Sequence, residues 1–462
     1  MNSEYKMRFL VFPALALLLA SCAGLQRYSR PELKTEGLFR NVNTRDTTTI
    51  ADLPWQQMFG DADLQELINE GISNNLDLKI AATRIQQAES YFRQSRAVLL
   101  PSLNANANVS LNKLSDAQGG NFINNTRSYQ LGLSSSWEAD IWGRLSASRR
   151  ASYASLLQSR ALARAVQTGL VSDIASLYYQ LLALDQQLAV TQTSVKTWAE
   201  TVETMKLLKE AAVVTGAAVV QSEAGRYAAE VTIPDLKLRI RETENTLSIL
   251  LGRNPGPIRR SNLNSQSLPA QLNTGLPVQL LSNRPDVQQA EYNYRVYFEN
   301  TNIARASFYP ALTITSGAGL STIDISNFFS AGSVFANLAG GLTQPVFNRR
   351  ANRTRFEVAQ AQQQEALLSF QRVLLNAGQE VSNALSTYQA ANDKTISRTN
   401  QLAALQKSVE YSQELLKYGR SNYTEVLNAR QSLLNAELGR VNDQLQKLQS
   451  VVELYRALGG GV

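Results

Sequence analysis

Slid by 209 positions, residues 74–111 fall on residues 283–320 without a gap, and Asn74, Asp77, Ala81, Arg96, Ala97, Pro101, Leu103 and Leu111 meet identical partners. Both segments keep one order: helical spacing, a proline, then alternation. A period that changes from 3.6 to 2 at the same proline restricts the chain to a duplicated helix–strand unit. In the first copy the alternation reads PSLNANANVSLN, with Leu103, Ala105, Ala107, Val109 and Leu111 on one side and Asn104, Asn106, Asn108, Ser110 and Asn112 on the other. A second alternation follows in each copy, through Tyr129, Leu131, Leu133, Ser135 and Trp137, and through Val334, Ala336, Leu338, Gly340 and Leu342. The connections, Ser115 to Asn121 and a stretch with Asn327, Ser330 and Gly332, are polar or small, as hairpins require. Each repeat therefore holds two strands of about ten residues, long enough to cross a bilayer when tilted.

Proline is absent from Arg144 to Ala211 and from Arg350 to Lys417. Each run would extend about 100 Å as a helix, longer than a compact domain needs. In the second, Leu367, Phe370, Leu374, Ala377, Val381, Ala384 and Tyr388 form the three-four seam of nearly parallel packed helices. At a shift of 207, Ala212 to Val219 falls on Gly419 to Val426, so a turn and a shorter return helix are expected after each rod. The first return ends in LLGRNPGPIRR, whose Gly252, Pro255, Gly256 and Pro257 forbid continuation. A linker leads to Pro285 and Asp286, suited to a helix's first turn.

The 462 residues contain no histidine and one cysteine, Cys22, which excludes a Ser-His-Asp triad, a Cys-His nucleophile and any His or Cys metal cluster. No pair of carboxylates has the context of a glycosidase site, so no enzyme and no metal or other cofactor is expected. Lys6 and Arg8 precede an apolar run from Phe9 to Ala20, too short to span a membrane and typical of an export signal. Its end, Leu19-Ala20-Ser21-Cys22, resembles a bacterial lipobox, which would make Cys22 the lipidated first residue of the mature chain. Ala23 is not the aspartate that commonly retains lipoproteins at the inner membrane, so the outer membrane is the expected destination. The formal charge of +7 does not imply nucleic acid as a partner, because an exported chain is kept from it.

The lipobox, the segment Thr232 to Arg260 with LLGRNPG, and Leu276 to Leu320 with its RPD resemble the TolC-type outer-membrane efflux proteins, in their lipoprotein branch paired with resistance-nodulation-division pumps. The resemblance covers nearly the whole mature chain. It implies a homotrimer in which twelve strands, four per chain, form one outer-membrane β-barrel and the long helices form an α-helical periplasmic barrel, with a periplasmic adaptor protein and an inner-membrane pump as partners. Physics reaches part of this independently: four strands cannot close a barrel, and open edges in lipid leave backbone groups unpaired, so chains must pool strands. The expected division is a signal peptide over 1–21, a lipidated extended segment over 22–60, helices of repeat 1 over 61–100, its hairpin over 101–143 and its long and return helices over 144–260. The linker and helices of repeat 2 follow over 261–309, its hairpin over 310–348 and its long and return helices over 349–462.

The resemblance also places functional positions. Ala212, Val213, Thr215 and Gly216, and Gly419, Arg420, Ser421, Asn422 and Tyr423, would form the tips that meet the adaptor, with Ala212 standing where a glycine is usual. Two acids that ring the pore mouth in relatives fall at Glu425 and Asn428, so one carboxylate is kept and one becomes an amide. A solvated surface glutamate is the plain alternative for Glu425. Arg144, Arg149, Arg150, Arg349 and Arg350 crowd the starts of the long helices, where the dipole disfavours cations, and outer-membrane lipid head groups are one expected source of an offsetting anion. The expected function is a passive exit duct for drugs or other small molecules. A channel for type I protein secretion and a structural coiled-coil lipoprotein are the alternatives.

Overall fold

The computed structural model describes residues 25–40, 46–112, 126–267 and 272–461. Cys22 and the Ser115–Asn121 connection lie outside the described residues. In chain order the principal elements are α1 (Ala62–Asn74), α2 (Leu76–Ala97), β1 (Ser102–Asn112), β2 (Thr126–Ala139), α3 (Arg144–Glu210), α4 (Gly216–Glu230), α5 (Thr232–Leu250), α6 (Pro285–Ala306), β3 (Ala311–Thr322), β4 (Val334–Thr343), α7 (Ala351–Lys417) and α8 (Tyr423–Ala457).

The duplication holds to the residue. Shifted by 209, α2 coincides with α6 at both ends; shifted by 207, α3 coincides with α7. The offset drops by two at the hairpin connection, 113–125 in the first repeat against 323–333 in the second. Equivalent hydrogen bonds recur at these offsets. Trp137 Nε1 donates to Leu99 O at 2.9 Å, and Gln344 Nε2 donates to Phe308 O at 3.0 Å.

Two units divide the chain, and α3 and α7 have residues in both. One unit (84–159 and 290–370, with the amino-terminal segment to Glu32) contains an antiparallel sheet of order β1-β2-β3-β4. Its register carries rows such as Leu103, Ser135, Ser316 and Leu338 straight across all four strands. The amino-terminal segment lies along α6: Arg30 grips Glu291 with two hydrogen bonds at 2.8 and 2.7 Å, and the Tyr28 ring meets Tyr294 and Phe298.

In the other unit, α1 buries Leu64, Leu67, Ile68 and Gly71, the i, i+3, i+4, i+7 stripe of an amphipathic helix. Asp61 caps this helix by accepting from the Asp63 and Leu64 amides. Both repeats then close with one device. Gly252 and Gly459 take left-handed φ values of 66° and 95° after the return helices, and a Cβ on either would stand 2.6 or 2.5 Å from the carbonyl of Asn74 or Asn283. Beside them Asn75 Nδ2 donates to Leu250 O in repeat 1, and Arg284 Nη1 donates to Ala457 O in repeat 2. Arg284 is 6% exposed and also bonds Asp286 and Glu380, which explains the RPD segment: its arginine locks the last turn of α8 onto the first turn of α6.

Two expectations need correction. The first return is two helices rather than one, because Pro234 has no amide for the Glu230 carbonyl and the helix breaks at Val231. The second rod starts at Ala351 rather than Arg350: Arg349 and Arg350 sit outside it at φ 53° and 69°. Of the α7 seam, Phe370, Leu374, Ala377, Val381 and Ala384 are buried, while Leu367 and Tyr388 are half-buried.

Candidate functional site: channel wall and helix turns

The sheet has two chemically distinct faces. One carries Leu103, Ala105, Ala107, Val109, Leu131, Leu133, Leu320, Val334, Leu338 and Leu342, with most of the large side chains exposed. The register places Asn104, Asn106, Asn108, Gln130, Ser134, Ser136, Thr315 and Asn337 together on the other. Hydrogen bonds join neighbours there: Asn106 Nδ2 donates to Ser134 Oγ at 2.7 Å, and the Ser110 and Ser128 hydroxyls pair at 2.7 Å. A face of amides and hydroxyls suits water, and an exposed aliphatic face suits lipid.

Phe335 is the feature that sequence alternation alone did not reveal. It stands on the polar face in register with Gly319 and, through it, Gly132. A Cβ on Gly132 would come within 3.4 Å of the Phe335 ring, so the ring lies over a patch of bare backbone. A glycine pair in a strand marks such a close approach, and that was the available signal.

The turns after the long helices share one geometry. Ala212 N and Val213 N bond Lys209 O and Leu208 O, as Gly419 N and Arg420 N bond Leu416 O and Leu415 O. Ala212 adopts φ 59° and Gly419 φ 67°, so an alanine holds a left-handed position that normally goes to glycine. Met205, Ala218, Val219, Leu416 and Val426 form one buried cluster, with Leu208, Val214 and Tyr423 packed on it, and this joins the two turns. Val213, Thr215, Gly216 and Asn422 are exposed around it.

Glu425 and Asn428 are exposed and three residues apart on the first turns of α8, hence on one face. Ser421 Oγ donates to Glu425 Oε2 at 2.5 Å, and Asn422 caps the helix by accepting from Thr424 N. The carboxylate is thus oriented, and it also suits the positive end of the helix dipole.

Part of the arginine cluster is paired within the chain. Arg144 makes two hydrogen bonds to Glu138 at 3.0 and 2.6 Å, and Arg150 makes two to Glu299, itself 1% exposed, at 2.8 and 2.9 Å. Arg350 and Arg353 share Glu357, which holds that carboxyl below its ordinary value. The amides at the start of α3 are met by Asp140, whose two oxygens accept from Leu145 and Ser146 at 2.8 Å each. The offsetting anions for Arg144, Arg150 and Arg350 are therefore carboxylates of the chain itself, because each has an acid within reach in sequence or on α6. Arg149 and Arg349 are exposed.

At the amino terminus Leu25 reaches the strand–helix junction: a Cβ on Gly143 would stand 2.8 Å from its Cδ1. Cys22 is three residues upstream.

The outer membrane efflux protein model matches the chain twice, over residues 67–253 and 276–460, once per repeat. The cation efflux system protein CusC of Escherichia coli K12 is 29% identical over 97% of this chain and 98% of its own length. The probable outer membrane lipoprotein SilC of Salmonella typhimurium is 28% identical over 99% of both. Among solved structures, the outer-membrane channel OprN superimposes with a TM-score of 0.88 at 23% identity, covering 95% of this chain and 99% of its own, which speaks to the fold. CusC superimposes with 0.85 at 27% identity over 94% and 99%. The family and these relatives are channel proteins rather than enzymes, and with both repeats matched the chain belongs to the outer membrane efflux protein family.

Proposed function

We propose that three copies of this chain form a passive exit duct through the outer membrane, the channel component of a tripartite efflux system that an adaptor protein and an inner-membrane pump complete. The observation that carries this reading is the two-faced sheet: four strands, apolar on one side and amide-lined on the other, with both edges unpaired among the described residues. An open edge in lipid is untenable, whereas twelve pooled strands enclose a water-filled lumen. The duct carries out no catalytic step; energy and substrate choice belong to the pump.

Cys22 is the acylated residue. Its support is the lipobox, SilC's description as a lipoprotein, and the position of Leu25, three residues after Cys22 in sequence, at the base of the hairpin. CusC is named for cation efflux, yet this chain offers soft ions few ligands. It has no histidine, and Met58 and Met205 are buried. The wall conducts without coordinating such an ion. The turns around Ala212 and Gly419 are the adaptor-facing tips, and three copies of Glu425, with Asn428 beside them, ring the periplasmic mouth. Arg149 and Arg349 are the arginines left for lipid head groups.

Purified protein in a planar bilayer tests the reading. A stable ion-conducting pore is expected, with cation preference lowered in Glu425→Gln. A protein that never conducts in any orientation would leave only a spacer, and an unchanged selectivity in the glutamine variant would remove Glu425 from the mouth.

A further inference from the structure

The polar face of the sheet is nearly uniform in chemistry. Among the described strand residues on that face one is charged, Glu138, which Arg144 holds, and one is aromatic, Phe335. The others are amides, hydroxyls, glycines and alanines. Phe335 lines a hollow of about 380 Å³ together with Asn104, Asn106, Gln130 and Asn337, and no charged group borders it. The floor of the hollow is bare because side chains do not fit there. A Cβ on Gly132 would stand 2.9 Å from Ala318 O, one on Gly319 would stand 2.5 Å from the Gly132 Cα, and one on Gly317 would meet Asn337 Oδ1 at 2.7 Å. Phe335 is half-buried at the edge of this floor, so part of its ring faces the open side.

We propose that this hollow is a weak binding site for the molecule in transit, and that its ligand class is an uncharged planar ring bearing a hydrogen-bonding group. The proposal rests on the duct reading above and deepens it by giving the wall a contact of its own.

Size, charge and geometry agree. An apolar cavity of about 150 Å³ holds benzene, so this hollow has room for a substituted ring. A charged ligand would leave water for a wall without a counter-charge, which is costly, whereas a neutral amide or hydroxyl exchanges water for the amides of Asn104, Gln130 and Asn337. Asn106 Nδ2 donates to Ser134 Oγ, which orients that amide and leaves its Oδ1 as an acceptor. A ring laid against Phe335 adds about two- to tenfold in affinity beyond the area it buries. A contact of that strength also releases what it holds, as conduction requires. Phe335 is the second residue of β4, next to the hairpin connection, so three copies set three such sites at one level, at the end of the lumen away from the long helices. Covering glycine backbone is a purely structural use for the same ring, and an aliphatic side chain would serve it too.

Saturation-transfer NMR on the full-length oligomer in lipid nanodiscs tests the site, with benzamide as the probe. Phe335→Leu keeps an apolar cover over the glycines without a ring, so comparison with the unaltered protein cancels the probe dissolved in lipid. Benzamide should bind the unaltered oligomer weakly and Phe335→Leu about two- to tenfold more weakly still. Phe335→Tyr, which keeps the ring, should bind as the unaltered protein does, and Asn106→Ala should weaken binding. Cyclohexanecarboxamide, which has no aromatic ring, and benzoate, which is charged, should show no difference between Phe335 and leucine. Equal benzamide transfer in the unaltered protein and in Phe335→Leu overturns the site while leaving the duct, and reduces the ring to a cover for the glycines. A loss in Phe335→Tyr equal to that in leucine overturns stacking as the cause. A difference for benzoate as large as that for benzamide overturns the ligand class. Absence of conductance in the unaltered protein overturns the duct, and the transit role with it, whatever the probe does.

Discussion

Ala212 is the point where the two repeats conflict most directly, and replacing it with glycine should stabilise the tip. Its φ of 59° places the Cβ against the following carbonyl, at a cost of about 1 kcal/mol for an L-residue. Nothing offsets that cost, since the methyl group is exposed. The equivalent Gly419 has φ 67°, and a Cβ there would meet nothing within 4 Å, so Gly419→Ala isolates the same backbone penalty with opposite sign. Hydrogen exchange at the amides that close each turn, Ala212 and Val213 or Gly419 and Arg420, reads the local opening directly. Ala212→Gly should slow exchange about fivefold and Gly419→Ala should speed it about fivefold, the equivalent of ~1 kcal/mol in local opening. Unchanged or faster exchange in Ala212→Gly would refute the argument from backbone strain, whatever the glycine turn does.

Ala107→Arg puts a charge on the aliphatic row with Leu131 and Leu320, and should lose about 2–4 kcal/mol of insertion free energy at mid-membrane. Asn106→Arg, one residue along on the polar face, should insert normally and alter conductance; equal behaviour in membrane fractionation would reverse the face assignment. Arg284→Ala leaves the Ala457 carbonyl unpaired and frees Asp286 and Glu380, both partly exposed, and should cost about 2–3 kcal/mol, while Asn75→Ala at the repeat-1 counterpart should cost about 1–3, as measured by thermal dissociation. Burial alone would raise the Asp286 carboxyl, but hydrogen bonds and charge from Arg284 hold it below its ordinary value. Its stabilisation is therefore complete above the unfolded value of about 4 and lost as pH falls through the lower folded one. An acid limb in thermal stability is expected there, and Arg284→Ala should flatten it.

The duplication, the period change and the proline-free rods were legible in the sequence because each rests on local spacing: α6 repeats α2 and α7 repeats α3 at the offsets read from the residues alone. What escaped depends on contacts distant in the chain. Arg150 looked uncompensated because Glu299, the acid that it holds, lies 149 residues further on, whereas Glu138 stood only six residues from Arg144 and was legible. Phe335 looked like one more residue of an alternating strand, and only the register sets it over Gly132, two strands away. Asp286 was readable as a helix-start acid, but the bond from Arg284 to the Ala457 carbonyl, 173 residues further on, was not. The sheet has the same origin as the helices: each copy of the duplicated unit supplies one hairpin, and the joint between the two hairpins, β2 against β3, could not be read from either copy alone.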